Sequence, residues 1–178
     1  MIEKITENDT NFNEALFLSK VDHIFIMILD AILENDMISV KHYLSDNVYN
    51  KFNDLVNTYK EKGLTRIFDE MNVKETKILD SYIQDNKINI EINLTSRYMD
   101  YFVDENGNFV SGNNQRRIEK EHRIIFSKNI NAKKLQEARR CTSCGRTLDI
   151  NNTGVCPYCK QVIDMSKYDY IITQMDLI

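Results

Sequence analysis

The sequence predicts an α+β fold: three N-terminal helices laid on a bent antiparallel sheet, with a small cysteine module set before the last strand. Three observations carry that expectation. Apolar residues recur at helical spacing through the first third of the chain, they alternate with polar residues from position 88 onward, and two Cys-x-x-Cys pairs lie near the C-terminus.

From Asn11 to about Glu34, Leu16, Val21, Ile24, Ile28 and Ala31 or Ile32 recur at steps of three to five, broadened by Phe17, Phe25 and Leu29. That pattern predicts a long, largely buried helix. A short helical stretch is expected around Ile38 to Tyr43. Ser45 or Asp46 can then cap a third helix, which carries Tyr49, Phe52, Leu55 or Val56, and Tyr59 on one face and ends at Gly63.

The period then changes. Ile88, Ile90, Ile92 and Leu94 alternate with Asn89, Glu91, Asn93 and Thr95, as a strand with one buried face requires. Beyond Ser96 both parities are apolar, which predicts a bulge or sharp bend near Ser96 to Tyr98. Further strands are expected around Val73 to Ile83 and Ile118 to Phe126, with turn chemistry at Asp104-Glu105-Asn106-Gly107-Asn108. After the cysteines, Tyr168, Tyr170 and Ile172 alternate with their neighbours and predict a last strand, Tyr168 to Thr173, beside Ile118 to Phe126. The expected organisation is a cone over 11–131 plus 166–178, with a metal module at 132–165 inserted between the last two strands.

At 178 residues the chain holds one core and an addition. With 42% hydrophobic and 28% charged residues it falls in the globular range. The longest apolar run, Ile24 to Leu29, is stopped by Asp30, whereas a membrane span needs roughly 20 such residues. The N-terminus shows no secretory pattern, so a cytoplasmic location is expected. The net charge of -4 conceals a segment, Arg116 to Arg146, with ten Lys and Arg against three Glu. Such a segment suits phosphates, lipid head groups or an acidic partner, or else a solvated strand face beside a negative metal site.

No dinucleotide fingerprint occurs, and Gly107 to Gly112 lacks the Lys and hydroxyl of a phosphate loop. Zinc-protease and nucleophile-elbow motifs are absent as well. A bent sheet under helices can enclose a pocket, for which Arg97, Tyr98, Asp100 and His122 are the polar candidates. The expectation is nevertheless that His122, like His23 and His42, is structural and that the chain is not an enzyme.

Cys141-Thr-Ser-Cys144 and Cys156-Pro-Tyr-Cys159 form two knuckles 11 residues apart. Each lets two sulfurs approach one cation from a tight turn, and both together complete a tetrahedron about 2.3 Å from zinc. Asn151-Asn152-Thr153-Gly154 offers a reversal between them. Structural zinc held by Cys141, Cys144, Cys156 and Cys159 is therefore expected, ahead of two disulfides, redox catalysis or iron. Gly145 lets the chain curl under the first pair. Lys160 lacks that freedom, which predicts a less regular second knuckle. Arg139, Arg140, Arg146 and Lys160 lie near in sequence to offset the charge of a tetrathiolate centre.

The sequence resembles bacterial zinc-ribbon proteins related to TIM forty-four, the mitochondrial inner-membrane import translocase subunit. The residues that carry this are Lys20-Val21-Asp22-x-Ile24-Phe25; Tyr43-Leu44-Ser45-Asp46-x-x-Tyr49; Asp100-Tyr101 with Asp104, Gly107 and Val110-Ser111-Gly112; and Cys141-x-x-Cys144-Gly145 with Asn151-Asn152-x-Gly154-x-Cys156-x-Tyr158-Cys159. The resemblance implies a nuclear-transport-factor-two-like cone, a non-catalytic role, and contact with proteins or lipid in a transport setting. Bacterial members often carry a transmembrane segment ahead of the domain, and this chain shows none. The leading expectation is a zinc-stabilised binding domain that recruits a protein partner or an anionic membrane surface as a peripheral membrane protein. A pocket for a small ligand or for catalysis, and nucleic-acid binding through the ribbon, are the alternatives.

Overall fold

In a computed structural model, residues 2–133, 140–148 and 155–178 are described. Helices α1 (Ile2–Asn8), α2 (Glu14–Leu33) and α3 (Asp46–Glu61), with a 3₁₀ helix at Met37–Tyr43, precede strands β1 (Thr65–Gln84), β2 (Lys87–Val103) and β3 (Phe109–Asn129). A fourth strand, β4 (Ile171–Met175), follows the cysteines. The strands form one antiparallel sheet in the order β1-β2-β3-β4.

The helix boundaries follow local chemistry. The Asn13 side chain accepts the N–H of Leu16 at 3.0 Å and starts α2. Ser45 caps α3 through the N–H of Val48, and Gly63 ends the helical region at φ 63°. Helix α1 has no counterpart among the expected elements, because its seven residues are too few to show a period; Ile5 nevertheless lies fully buried in the main core.

The broad apolar face of α2 packs on the concave side of the sheet. Val21, Ile24, Phe25, Ile28, Leu29 and Ile32 share one buried core with Ile88, Ile90, Ile92 and Leu94, the alternating residues of β2. Phe17 anchors the seam with β4, its ring centroid 5.4 Å from Phe126 and 5.3 Å from Tyr170. Edge-to-face pairs of this kind add about 0.5–1.5 kcal/mol beyond area burial.

Strand β1 begins at Thr65, eight positions before the expected start at Val73, because Arg66 and Phe68 take up the buried parity immediately after α3. It turns into β2 through Asp85 and Asn86, both at positive φ (52° and 60°), which suits a tight primed hairpin. The bend expected near Ser96 to Tyr98 is present: Tyr98 faces Ile118, but Asp100 already faces Asn113, so residues 114–117 fall out of register. The Asn113 carboxamide stabilises this bulge by accepting the N–H groups of Gln115 and Arg116. The Asp104 carboxylate organises the following turn by accepting the N–H groups of Asn106 and Asn108.

Strand β4 lies beside β3, with Ile124 facing Met175 and Ser127 facing Ile171. The expected strand, Tyr168 to Thr173, is thus displaced toward the C-terminus: Met165–Lys167 forms a 3₁₀ turn, and Tyr168 caps it. The cysteine segment falls between β3 and β4 in the chain.

Gly112 (φ 102°) sets how closely β2 and β3 approach. A Cβ there would stand 2.5 Å from the Asp100 carbonyl oxygen and 2.6 Å from Tyr101 Cα. Gly112→Ala is expected to cost about 2 kcal/mol or more in urea unfolding, since strand backbone must move. Gly107→Ala, at φ 80° with open space around it, should lose only about 1 kcal/mol, the left-handed cost alone.

Candidate metal centre

Each cysteine pair sits at the tip of a small antiparallel loop, closed by bridges between Arg140 and Thr147 and between Val155 and Val162. In the first loop the Cys141 N–H donates to the Arg146 carbonyl and the Gly145 N–H to that of Cys141. In the second, Cys156 and Lys160 repeat both bonds, with Gln161 and Cys156 as acceptors. The less regular second knuckle is therefore not observed. Lys160 takes φ 61°, close to the 72° of Gly145, so the same turn forms at the cost of a side chain in left-handed backbone.

The four sulfurs lie within 4.8 Å of one another. Cys141 Sγ is 3.5 Å from Cys159 Sγ, and Cys144 Sγ is 3.7 Å from Cys156 Sγ. A tetrahedron with metal–sulfur bonds of about 2.3 Å has edges of about 3.8 Å, so the cluster has the size of such a cage. Main-chain N–H groups point at the sulfurs. Those of Cys144 and Ser143 lower the Cys141 thiol to about 6, and that of Cys159 leads the lowering of Cys156. At Cys144 the Arg146 N–H pulls the same way, but burial and the neighbouring sulfurs outweigh it and push the thiol up to about 11. Crowded thiolates repel one another, and a divalent cation would relieve that repulsion.

Cys141 and Cys156 are buried with Leu148 in a small apolar cluster that Ile163 extends, whereas Cys144 and Cys159 are exposed. The Arg146 guanidinium lies 4.4 Å from the centre of the Tyr158 ring and links the two knuckles. Arg139 and the expected reversal at Asn151-Asn152-Thr153-Gly154 lie outside the described residues. Relieving the left-handed strain by Lys160→Gly is expected to stabilise the second knuckle by about 1 kcal/mol, which tightens metal binding about fivefold in chelator competition. An unchanged affinity would show that the turn is not strained.

The polar candidates of the cone divide between the two faces of the sheet. Arg97 points to the outer face, 3.8 Å from Glu119. On the inner side, Tyr98 is fully buried, the His122 ring lies tilted against Phe25 with centroids 4.7 Å apart, and Asp100 is ion-paired with Arg66. His122 Nε2 lies 2.8 Å from Ser96 Oγ, also buried. Ser96 shares the buried parity of Ile88 to Leu94, and its partnership with His122 was legible only as that parity. Arg66 belongs to a segment with no clear period. His42 is buried under Tyr43, and His23 is exposed on α2.

Burial, followed by the charges of Lys20 and Lys120 respectively, lowers both His42 and His122 to about 4. A depressed histidine keeps the neutral form in the fold while the unfolded chain takes up protons near 6.5. The stability these residues contribute is therefore complete above pH 6.5 and lost as the pH falls toward 4. In His122→Gln the urea midpoint is expected to fall less steeply over that interval than in the parent. A parallel fall would exclude His122 as a source of the acid sensitivity.

Three cations of the basic segment are paired with carboxylates, Arg117 with Glu70 and Arg123 with Glu91 on the sheet, and Lys128 with Asp9 after α1. A groove of about 480 Å³ separates the 3₁₀ helix from the cysteine segment and is lined by Lys41, His42, Ser45, Gln161 and Asp164. No helix among the described residues is long and apolar enough to cross a membrane.

Fold and site together define an α+β cone with a compact four-sulfur cluster beside it. The family model of the Tim44-like domain matches residues 1–138, and the chain belongs to that family. Its members form nuclear-transport-factor-two-like cones and generally act as non-catalytic binding domains that contact proteins or membranes. The match stops before Cys141, so the cysteine cluster and β4 lie beyond the matched part. No curated protein matches the chain.

Proposed function

We propose that this protein is a non-catalytic binding domain stabilised by a structural zinc ion on Cys141, Cys144, Cys156 and Cys159. In this reading, 132–165 is a zinc ribbon inserted into a cone formed by 11–131 and 166–178. The domain recruits a protein partner or docks on an anionic membrane surface from the cytoplasmic side, in protein transport.

The observation that carries the reading is the packing of four sulfurs within 4.8 Å, each pair folded in the same hydrogen-bonded turn. An ion held by four protein sulfurs keeps no open position for substrate, which is the arrangement of a structural site. Two of the polar groups that would serve catalysis have internal partners instead: Asp100 holds Arg66, and His122 holds Ser96. Pairing of Arg117, Arg123 and Lys128 with carboxylates reduces the charge offered to nucleic acid.

Sedimentation with vesicles containing an anionic phospholipid, across a range of salt, tests the membrane arm. Binding at low ionic strength that fades toward physiological salt supports it, and absence of binding at low salt removes it in favour of a protein partner. Elemental analysis should find one zinc per chain.

A further inference from the structure

The cage presents its sulfurs unequally. Cys144 and Cys159 are exposed, Cys141 and Cys156 are buried, and each cross-knuckle contact joins one of each kind, 159 with 141 at 3.5 Å and 144 with 156 at 3.7 Å. An exposed sulfur is open to attack, and a buried neighbour at that distance is placed to resolve the product. The surroundings are cationic: Arg140, Arg146 and Lys160 are exposed around the knuckles, and among the described residues none has a carboxylate partner within ion-pair distance. Partly exposed cysteine sulfur in an electropositive setting is the kind a dissolved reagent reaches, whereas buried sulfur is left to react with an adjacent group.

We infer that the cage is a redox-labile clamp that an anionic low-molecular-weight disulfide opens by thiol–disulfide exchange. The inference rests on the cage holding a cation. Cys144, kept as a thiolate by the bound cation, attacks one sulfur of the reagent; the reagent's S–S bond breaks, a mixed disulfide forms and one reagent thiolate leaves. The Cys156 thiolate then attacks Cys144 Sγ, forming the Cys144–Cys156 bond and expelling the second thiolate. Two protein sulfurs are oxidised, one disulfide is reduced to two thiolates, and no oxygen is involved. A second equivalent joins Cys159 to Cys141 in the same way. The cation, deprived of its negative ligands, departs.

The consequence is conformational because the module has little else to hold it. Among the described residues its apolar cluster comprises Cys141, Leu148, Cys156 and Ile163, and Gln161 to Ser166 form one wall of the groove beside the 3₁₀ helix. Opening the cage releases that wall from the cone.

The test uses the whole zinc-loaded protein with glutathione disulfide, an anionic disulfide, and with hydroxyethyl disulfide, a neutral one. Released zinc is read with a chromogenic chelator, and the bonds formed are mapped by peptide mass spectrometry. One zinc released per chain, with Cys144–Cys156 and Cys141–Cys159 bonds and reloading after reduction, supports the clamp. Charge reversal in Arg146→Glu/Lys160→Glu is expected to slow release by glutathione disulfide several-fold at low salt while leaving hydroxyethyl disulfide unaffected. Zinc retained after the thiols of an unfolded control are fully oxidised overturns the clamp, and equal slowing with both reagents overturns the electrostatic selection. Bonds confined to 141–144 and 156–159 overturn the cross-knuckle route. A protein isolated without any metal defeats the underlying reading instead.

Discussion

Cys156→Ser is expected to abolish stoichiometric metal binding and to leave the cysteine segment unfolded, while the cone keeps its cooperative transition. Cys156 is completely buried, lies 3.7 Å from Cys144 and, among the described residues, forms part of a cluster with three other members, Cys141, Leu148 and Ile163. So small an apolar core cannot offset the ordering of its own backbone, at roughly 1–2 kcal/mol per residue. In the proposed zinc-bound form the deficit is met by the ion, which supplies on the order of 10 kcal/mol to modules of this kind. Limited proteolysis distinguishes the outcomes. The variant should be cut within 140–165, the parent should be protected, and the parent with a strong chelator should behave as the variant does. A variant that binds zinc as tightly as the parent, or a metal-free parent that resists cleavage, would remove the metal from the folding of this segment.

The second large effect is expected at Arg66 and Asp100, an ion pair between the neighbouring strands β1 and β2. Arg66 is 7% exposed, and its Nε and Nη2 donate to the two carboxylate oxygens of Asp100 at 2.8 and 2.7 Å. Its Nη1 donates to the main-chain oxygen of Ile178 at 2.6 Å, and the guanidinium lies 4.8 Å from the centre of the Phe68 ring. A fork that planar and that fully used is not replaceable by lysine. Removing one partner leaves a charge buried alone: Arg66→Met or Asp100→Leu should each cost about 3–5 kcal/mol. Removing both leaves no unpaired buried charge, so the double variant should be more stable than either single one. Urea unfolding of the four proteins closes the cycle. If the single losses simply add, the pair does not act as a unit and the buried-charge account is wrong.

These two sites differ in how they appear in the amino-acid order. The cysteine knuckles are visible because each places two ligands within four residues, so the chemistry is local and the spacing records it. The helices α2 and α3 are visible for the same reason, since Phe17 to Ile32 and Val48 to Val56 repeat every turn against one apolar partner. Strand β2 shows its period from Ile88 to Leu94 because only one of its faces is buried. Helix α1 is too short to repeat. The first half of β1 is obscured because Arg66 occupies a core position and Glu70, at φ 50°, sits where the register with β2 slips.

The Arg66–Asp100 pair joins positions 34 residues apart, and Ser96 meets His122 across 26. Nothing in the spacing of such residues indicates that they touch. Lys160 teaches the converse: its side chain argued for an irregular turn, and cooperative hydrogen bonding imposed the regular one.

Composition, periodicity and the paired Cys-x-x-Cys motifs were enough to establish an α+β chain, helices before strands, with four sulfurs spaced for one cation, because each of these properties is written within a few consecutive residues. The β3–β4 pairing, the Ser96–His122 and Arg66–Asp100 contacts, the closure of the cone interior and the unequal exposure of the four sulfurs were decided only by tertiary structure. They depend on which distant segments the sheet and the helices bring within a few ångströms, and the free energy that selects those meetings is a property of the packed whole.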